Sequence, residues 1–118
     1  ARTAARHTEA LPFIALILGV KKLLMPEGTF WVILPAKEGM EFLELATGNG
    51  LFCYRLARVR TLADKPEKRL MMAFRTVIGN LSEEEIVIHN DDHTYTEQYI
   101  NLTREYYINL KSASSSSP

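Results

Sequence analysis

A stripe of aromatic and aliphatic side chains near the C-terminus constrains the fold more than any other feature of this sequence. Between residues 94 and 110, large apolar residues recur at intervals of three and four, which is the period of one helix face. Thr94 and Glu97 have the spacing of a capping box, in which two side chains bond free backbone N–H groups of the first turn. The pattern predicts an amphipathic helix that packs on one face of a sheet. The stripe consists of Tyr95, Tyr99, Leu102, Tyr106 and Leu110.

The segments before this helix have the composition of β-strands joined by turns. They are rich in β-branched and aromatic residues or alternate between apolar and polar positions. Gly48 and Gly50 suit the positive φ of a hairpin turn over 47–50, and 62–68 forms a second turn. The segment 86–88 predicts a fifth, short strand, although Ser82 and Glu85 also fit a helix start. The four longer strands are predicted at 29–34, 40–46, 51–61 and 69–79.

The N-terminal apolar segment over 12–25 has two interpretations. Pro12 suits a first helical turn and the leucines are good helix formers, whereas Gly19 and the turn at 26–28 equally suit a hairpin. The fold class predicted from all segments is α+β, with an antiparallel sheet of four to five strands in consecutive hairpins. The sheet is either a curled roll or an open sheet between two helices.

Length and composition predict one domain between two flexible ends. A chain of 118 residues with 47% hydrophobic and 24% charged residues can bury one core. We predict a flexible N-terminal segment at 1–10, an α+β domain at 11–111 and a disordered serine tail at 112–118. Because the chain begins at Ala1 rather than at methionine, we expect a processed product or a piece of a longer protein.

The single cysteine and the short apolar run indicate where in the cell the protein is located. Cys53 is the only cysteine, which excludes an internal disulfide and indicates a reducing compartment. The apolar run at 11–20 is too short to span a bilayer, which requires about 20 residues. We therefore predict an intracellular protein, cytoplasmic or nuclear, without a transmembrane segment.

Charge is segregated along the chain although its net charge is zero. Residues 51–81 hold seven basic and two acidic residues, a net charge of +5, and residues 82–118 hold the opposite excess. Clustered arginines and lysines bind phosphates, so this hairpin is a candidate site for nucleic acid or an anionic lipid. The alternative is a solvated surface, or one paired with the acidic segment. The candidate residues are Arg55, Arg58, Arg60, Lys65, Lys68, Arg69 and Arg75.

The sequence carries no motif that indicates catalysis or a cofactor. It has no glycine-rich phosphate loop, nucleophile elbow or paired-cysteine zinc pattern. His89 and His93 flank two aspartates, but turn chemistry explains this segment better than metal binding. We therefore predict no enzyme activity, no catalytic residues, no cofactor and no metal site.

The tyrosines of the last helix are candidates for an interaction surface. Four of them exceed what one buried stripe accommodates, because each buried hydroxyl needs a hydrogen-bond partner. The leading functional prediction is a non-enzymatic protein–protein interaction or assembly module, such as an adaptor or scaffold, that binds a protein partner or self-associates. The alternatives are an anion-binding module that uses the basic hairpin and a carrier for an apolar ligand. The interaction residues are Tyr95, Tyr99, Tyr106 and Tyr107.

Overall fold

The computed structural model describes the backbone of residues 2–115 and the side chains of residues 10–108. Most of the N-terminal segment predicted at 1–10 and of the serine tail predicted at 112–118 lies outside the residues whose side chains are described. The described chain forms a four-stranded sheet and three helices. In chain order they are α1 (Arg2–Leu23), β1 (Phe30–Pro35), α2 (Ala36–Gly48), β2 (Phe52–Arg60), β3 (Glu67–Arg75), β4 (Ser82–Val87) and α3 (Glu97–Ser115).

The sheet is mixed, with the strand order β1-β3-β2-β4. Strand β3 runs antiparallel to both β1 and β2, while β4 runs parallel to β2. The α+β class is confirmed, and the sheet does not close, so the open sheet describes the fold and the curled roll does not. The prediction of a purely antiparallel sheet of consecutive hairpins is wrong. Strand order depends on contacts between distant segments, and local patterns do not encode it.

Two hydrophobic cores occupy the two faces of the sheet. On one face, α1 and α2 cover a cluster centred on Phe42, Leu70 and Phe74, which are fully buried. On the other face, α3 covers a second cluster that includes Val59, Met71 and Leu102. The sheet thus separates two layers of helix, and residues 12–23, which sequence patterns left open between helix and strand, are helical.

Helix α2 replaces the strand predicted at 40–46. Its buried residues are Gly39, Phe42 and Ala46, a spacing of three and four that defines a helix face. The predicted hairpin turn at 47–50 is instead the end of this helix. Gly50 does adopt the expected positive φ, at 81°. The strand prediction was wrong because Met40 and Phe42 alternate with two glutamates, as in a strand. One of the three buried positions, Gly39, has no apolar side chain that would reveal the helical spacing.

The hairpin of β2 and β3 is confirmed around the predicted turn. Leu56 lies opposite Met72 in an antiparallel register, and Leu70, Met72 and Phe74 share one buried face. The register shifts occur between Cys53 and Arg55 and between Val59 and Arg60. The segment around Ile86 is a strand, β4, and not a helix start.

The final helix begins two residues later than a cap at Thr94 would require. The hydroxyl of Thr96 accepts a hydrogen bond from the backbone N–H of Tyr99 at 3.1 Å and donates one to the carbonyl of Val87. Thr94 is held in the preceding turn, where its N–H and hydroxyl donate to a carboxylate oxygen of Asp92 at 3.1 and 2.6 Å. The N-cap is therefore Thr96, and the capping box predicted at Thr94 and Glu97 is wrong.

Thr96→Ala is expected to lower the free energy of unfolding by about 1 kcal/mol, because an N-cap hydroxyl satisfies a helix N–H that otherwise lacks a partner. Thr96→Ser should retain most of this stability. The control is Thr94→Ala, which should cost less than half as much because the bonds of Thr94 are exposed to water. Urea unfolding monitored by circular dichroism measures all three variants. Equal losses for Thr94→Ala and Thr96→Ala would contradict this assignment.

Candidate functional site

The parallel strands define one edge of the sheet as the candidate site. β1 and β2 both pair antiparallel with β3, and β4 is parallel to β2, so the carboxyl ends of β1, β2 and β4 lie at the same edge. This edge, which we call the carboxyl edge, includes Pro35, Arg60 and Val87 with the loops that follow them. In open sheets with parallel strands, ligands bind outside the carboxyl ends.

Three of the seven predicted anion-binding residues are paired with glutamates of the same chain. Nε and Nη2 of Arg55 lie 2.7 Å from Oε1 of Glu84, and Nη1 contacts Glu105 on α3. The hydrogen bond to Glu105 and the pairing with Glu84 raise the pKa of Arg55 above its ordinary value. Arg55 therefore joins β2 to both β4 and α3.

The other two paired arginines lie on the opposite face of the sheet. Nη1 of Arg58 is 3.4 Å from Oε1 of Glu67, and its Nη2 is 3.5 Å from Glu83. Nη2 of Arg60 is 2.7 Å from Oε1 of Glu85. The basic strand and the acidic strand thus pair with each other, so these three arginines are poor candidates for binding an external phosphate.

The remaining four cations divide between the two ends of β3. At its C-terminus, the guanidinium of Arg75 lies 4.5 Å from the centroid of the Tyr54 ring, and Nε donates to Thr29 Oγ1 at 3.1 Å. At the carboxyl edge, three exposed residues form no ion pair among the described residues. These residues are Lys65, Lys68 and Arg69.

Aromatic rings stack beside this basic hairpin. The backbone N–H of His89 donates to the carbonyl of Thr61 at 3.0 Å, which joins the end of β4 to the β2–β3 turn. The ring of Tyr95 stacks on that of His89, with centroids 5.0 Å apart, and on that of Tyr99, with centroids 5.6 Å apart. We call these three rings the aromatic ladder. Tyr95 is 59% exposed as a residue, and its ring lies between those of His89 and Tyr99.

The other two predicted interaction tyrosines have different environments. Tyr106 is a core residue, because its ring packs edge-on against Trp31 at 4.8 Å and its hydroxyl donates to the carbonyl of Met72 at 2.9 Å. Burial raises its pKa. Tyr107 is exposed on α3. A role in protein binding for Tyr95, Tyr99 and Tyr107 stays a prediction.

Cys53 and the histidines form no nucleophilic or metal centre in the described part of the chain. The thiol of Cys53 donates to the carbonyl of Arg55 at 3.1 Å, and burial raises its pKa to about 11, so it is protonated at neutral pH. The described residues include no group of three or more metal-ligating side chains. None of the described helices has the length and hydropathy of a membrane span.

The outer edge of β1 is apolar and unprotected. β1 pairs with β3 on one side only, and no other described strand pairs with it. Edge strands usually carry charges or irregularities that prevent further pairing, whereas the sequence of β1 is Phe-Trp-Val-Ile-Leu-Pro. Ile33 is 47% exposed, and Trp31, Val32, Ile33 and Tyr106 line an apolar groove of about 250 Å³.

The fold is an open mixed sheet with helices on both faces, a basic carboxyl edge and one unprotected edge strand. No protein-family model matches the sequence. The chain is 35% identical over 109 residues to a protein of Bacteroides fragilis and 39% identical over 111 residues to one of Photobacterium profundum. It is 37% identical over 110 residues to a protein of Pseudoalteromonas translucida. All three are named tRNA1(Val) (adenine(37)-N6)-methyltransferase.

These matches cover most of this chain but only part of each relative. They include 92–93% of the chain and 46–47% of the relatives, so the chain spans about half the length of the curated relatives it matches. The relatives carry the name of an enzyme. This finding overturns our prediction of a non-enzymatic module, whether an adaptor, a scaffold, a separate anion-binding module or a carrier. Sequence motifs could not have revealed it, because the chain holds no recognisable catalytic pattern.

Proposed function

We infer that this chain is one part of an RNA-modifying enzyme that transfers a methyl group to N6 of an adenine in tRNA. The observation that carries this inference is the 35–39% identity to relatives with that name over 92–93% of the chain. Because the relatives are bacterial, they support a cytoplasmic location and give no support to the nuclear alternative.

The unprotected edge of β1 supports a role as part of a larger sheet. Its outer N–H and C=O groups are free to pair with a further strand, and the groove beside Trp31 and Ile33 offers apolar surface to an added layer. The relatives contain about as many residues again as the matched span. We therefore propose that the region absent from this chain extends the sheet at β1 and supplies the groups that perform methyl transfer.

A chimera tests this function. The 111-residue matching region of the Photobacterium profundum relative is replaced by this chain and expressed in a strain that lacks the relative. We expect N6-methyladenosine to return at position 37 of tRNA1(Val), because the chain should rebuild the same sheet. Nucleoside mass spectrometry of the purified tRNA measures the modification.

The unaltered relative and the empty strain are the positive and negative controls. The chimera must also be abundant and resistant to limited proteolysis, which shows that the two parts form one fold. An abundant, resistant chimera that leaves adenine 37 unmodified would contradict the proposed function.

A further inference from the structure

Helix α1 is apolar on both of its sides. The segment 10–20 contains no charged side chain and none that forms hydrogen bonds. A helix that is apolar all round is normally buried on every side. Only one side of α1 packs on the core among the described residues, with intervals of four and three between the residues that do so. They are Phe13, Ile17, Val20 and Leu24.

The exposed side of α1, which we call its outer face, consists mainly of leucines. Their positions alternate with those of the core residues along the helix, so their side chains point away from α2. Leu23 is 83% exposed and Leu11 is 67% exposed. Single exposed leucines are common, but several on one side of one helix form a continuous apolar patch of the kind that marks an interface. The outer face comprises Leu11, Ala15, Leu16, Leu18 and Leu23, with Lys22 near its end.

Helix α1 lies on the β1 side of its layer. Helix α2 contacts β1, β2 and β3, and α1 packs mainly on α2. The ring centroid of Phe42 on α2 lies 5.3 Å from that of Phe13 on α1 and 6.4 Å from that of Phe30 on β1. Beyond β2, this face of the sheet carries the ion pairs of Arg58 and Arg60 in an open cleft lined by residues of β2, β3 and β4. The outer face of α1 is therefore next to the unprotected edge of β1.

A strand added at β1 would bring a helix to this position. Parallel strands require crossover connections, which are usually helices packed on a face of the sheet. On the face that α1 and α2 cover, the place above such an added strand lies against the outer face of α1. The relatives have about as many residues outside the matched span as inside it, which is enough for further strands and helices.

Two other occupants fit the outer face less well. Helices that lie on a membrane have a polar side rich in lysine and arginine, whereas the other side of α1 is part of the core. A second copy of the chain would have to reach α1 past the segments that pair with β1. A helix of the same polypeptide needs neither a polar side on α1 nor a free path to it.

We propose that a helix of the region absent from this chain packs along the outer face of α1, beside the strand that pairs with β1. The proposal rests on the proposed function, because the relatives supply that region. Helix α1 is then an internal helix, between α2 on one side and the added helix on the other. This position explains why its sequence is apolar all round.

The accessibility of a thiol on the outer face tests this packing. Leu18→Cys is made in this chain and in the chimera, and its alkylation by N-ethylmaleimide is followed by peptide mass spectrometry. We expect alkylation to be on the order of tenfold slower in the chimera, because a covered thiol is not accessible to the reagent. Cys53 should react slowly in both proteins, since burial raises its pKa to about 11.

Leu81→Cys is the matched control. Leu81 is 45% exposed against 51% for Leu18, and it lies just before β4, at the edge of the sheet opposite to β1. Its alkylation rates in the two proteins should agree to within about twofold. Rates are measured at dilutions at which native mass spectrometry detects only monomers, so a second copy cannot provide the protection. Equal rates for Leu18→Cys in the chain and in the chimera would overturn the proposal.

Leu18→Glu tests the same contact through stability. Glutamate is nearly as good a helix former as leucine and can pair with Lys22 one turn later, so this chain alone should change its melting temperature by less than about 3 °C. In the chimera the substitution places a charge in an apolar contact, and the melting temperature should fall by at least about 6 °C. Leu81→Glu should cause equally small shifts in both proteins. A fall for Leu18→Glu that is no larger in the chimera than in the chain would contradict the packing.

These measurements do not depend on methyl transfer. A chimera that protects position 18 but leaves adenine 37 unmodified contradicts the proposed function and leaves the packing intact. A chimera that methylates tRNA but exposes position 18 retains the function and overturns the packing. If the chimera does not fold, the same substitutions at the aligned positions of the unaltered Photobacterium profundum relative test the packing instead.

Discussion

Phe42→Ala is expected to lower the free energy of unfolding by about 3–5 kcal/mol, the largest effect of a single substitution that we predict. Phe42 is fully buried on α2, and its ring contacts three others. Its centroid lies 5.3 Å from that of Phe13, 5.4 Å from Phe74 and 6.4 Å from Phe30. Its loss would leave a cavity between α1, α2 and the sheet, and the edge-on contacts with Phe13 and Phe74 would vanish as well.

Urea unfolding at equilibrium measures this loss. Met40→Ala is the matched control on the same helix. Because Met40 is 44% exposed, this substitution should lower the free energy of unfolding by less than about 1 kcal/mol. Since small domains are stable by only about 5–15 kcal/mol, Phe42→Ala could unfold the chain, and Phe42→Leu then gives a measurable intermediate loss. A loss below 1 kcal/mol for Phe42→Ala would show that α2 does not pack on the sheet as described.

Local patterns predicted the elements whose geometry is set by neighbouring residues. The hairpin of β2 and β3 followed from alternation around a polar turn, and α3 followed from a sustained helical period. The exact start of α3 did not follow, because Thr94 and Thr96 are both good caps. The carboxylate of Asp92 bonds Thr94 and leaves Thr96 to begin the helix.

The order and direction of the strands could not be predicted in this way. Strand β4 is parallel to β2 and pairs with it, and not with β3, which precedes it in sequence. Charges pair across these two strands, Arg55 with Glu84 and Arg60 with Glu85. Such pairs are visible only when the register is known, since the acidic and basic residues are about 25–30 positions apart.

The same register decides which candidate site residues are available. Seven cations form one cluster in the sequence, yet three lie against glutamates, one stacks on Tyr54 and three stay exposed at the carboxyl edge. The four tyrosines divide similarly between the core and the surface. Composition could identify the kinds of group that bind RNA, but only the fold separates the groups that hold the sheet together from those that face solvent.

Gly39→Ala is expected to destabilise the chain, although alanine is normally the better helix former by about 1 kcal/mol. Gly39 is buried on α2, and a Cβ there would lie 2.8 Å from Cδ1 of Leu70 and 3.1 Å from its Cβ. Because the Cβ of Leu70 is fixed to the backbone of β3, a rotamer change alone does not remove the contact. Overpacking of this kind costs about 1–3 kcal/mol, which equals or exceeds the gain in helix propensity.

Gly19→Ala is the matched control, because Gly19 is also inside a helix but a Cβ there meets nothing within 4 Å. We expect Gly19→Ala to stabilise the chain by about 1 kcal/mol and Gly39→Ala to shift the urea midpoint in the opposite direction. In a Leu70→Ala background only the contact with the Cβ of residue 70 at 3.1 Å remains, so Gly39→Ala should cost less there than in the unaltered chain. If Gly39→Ala stabilises the unaltered chain as much as Gly19→Ala does, α2 does not approach β3 as closely as the buried glycine indicates.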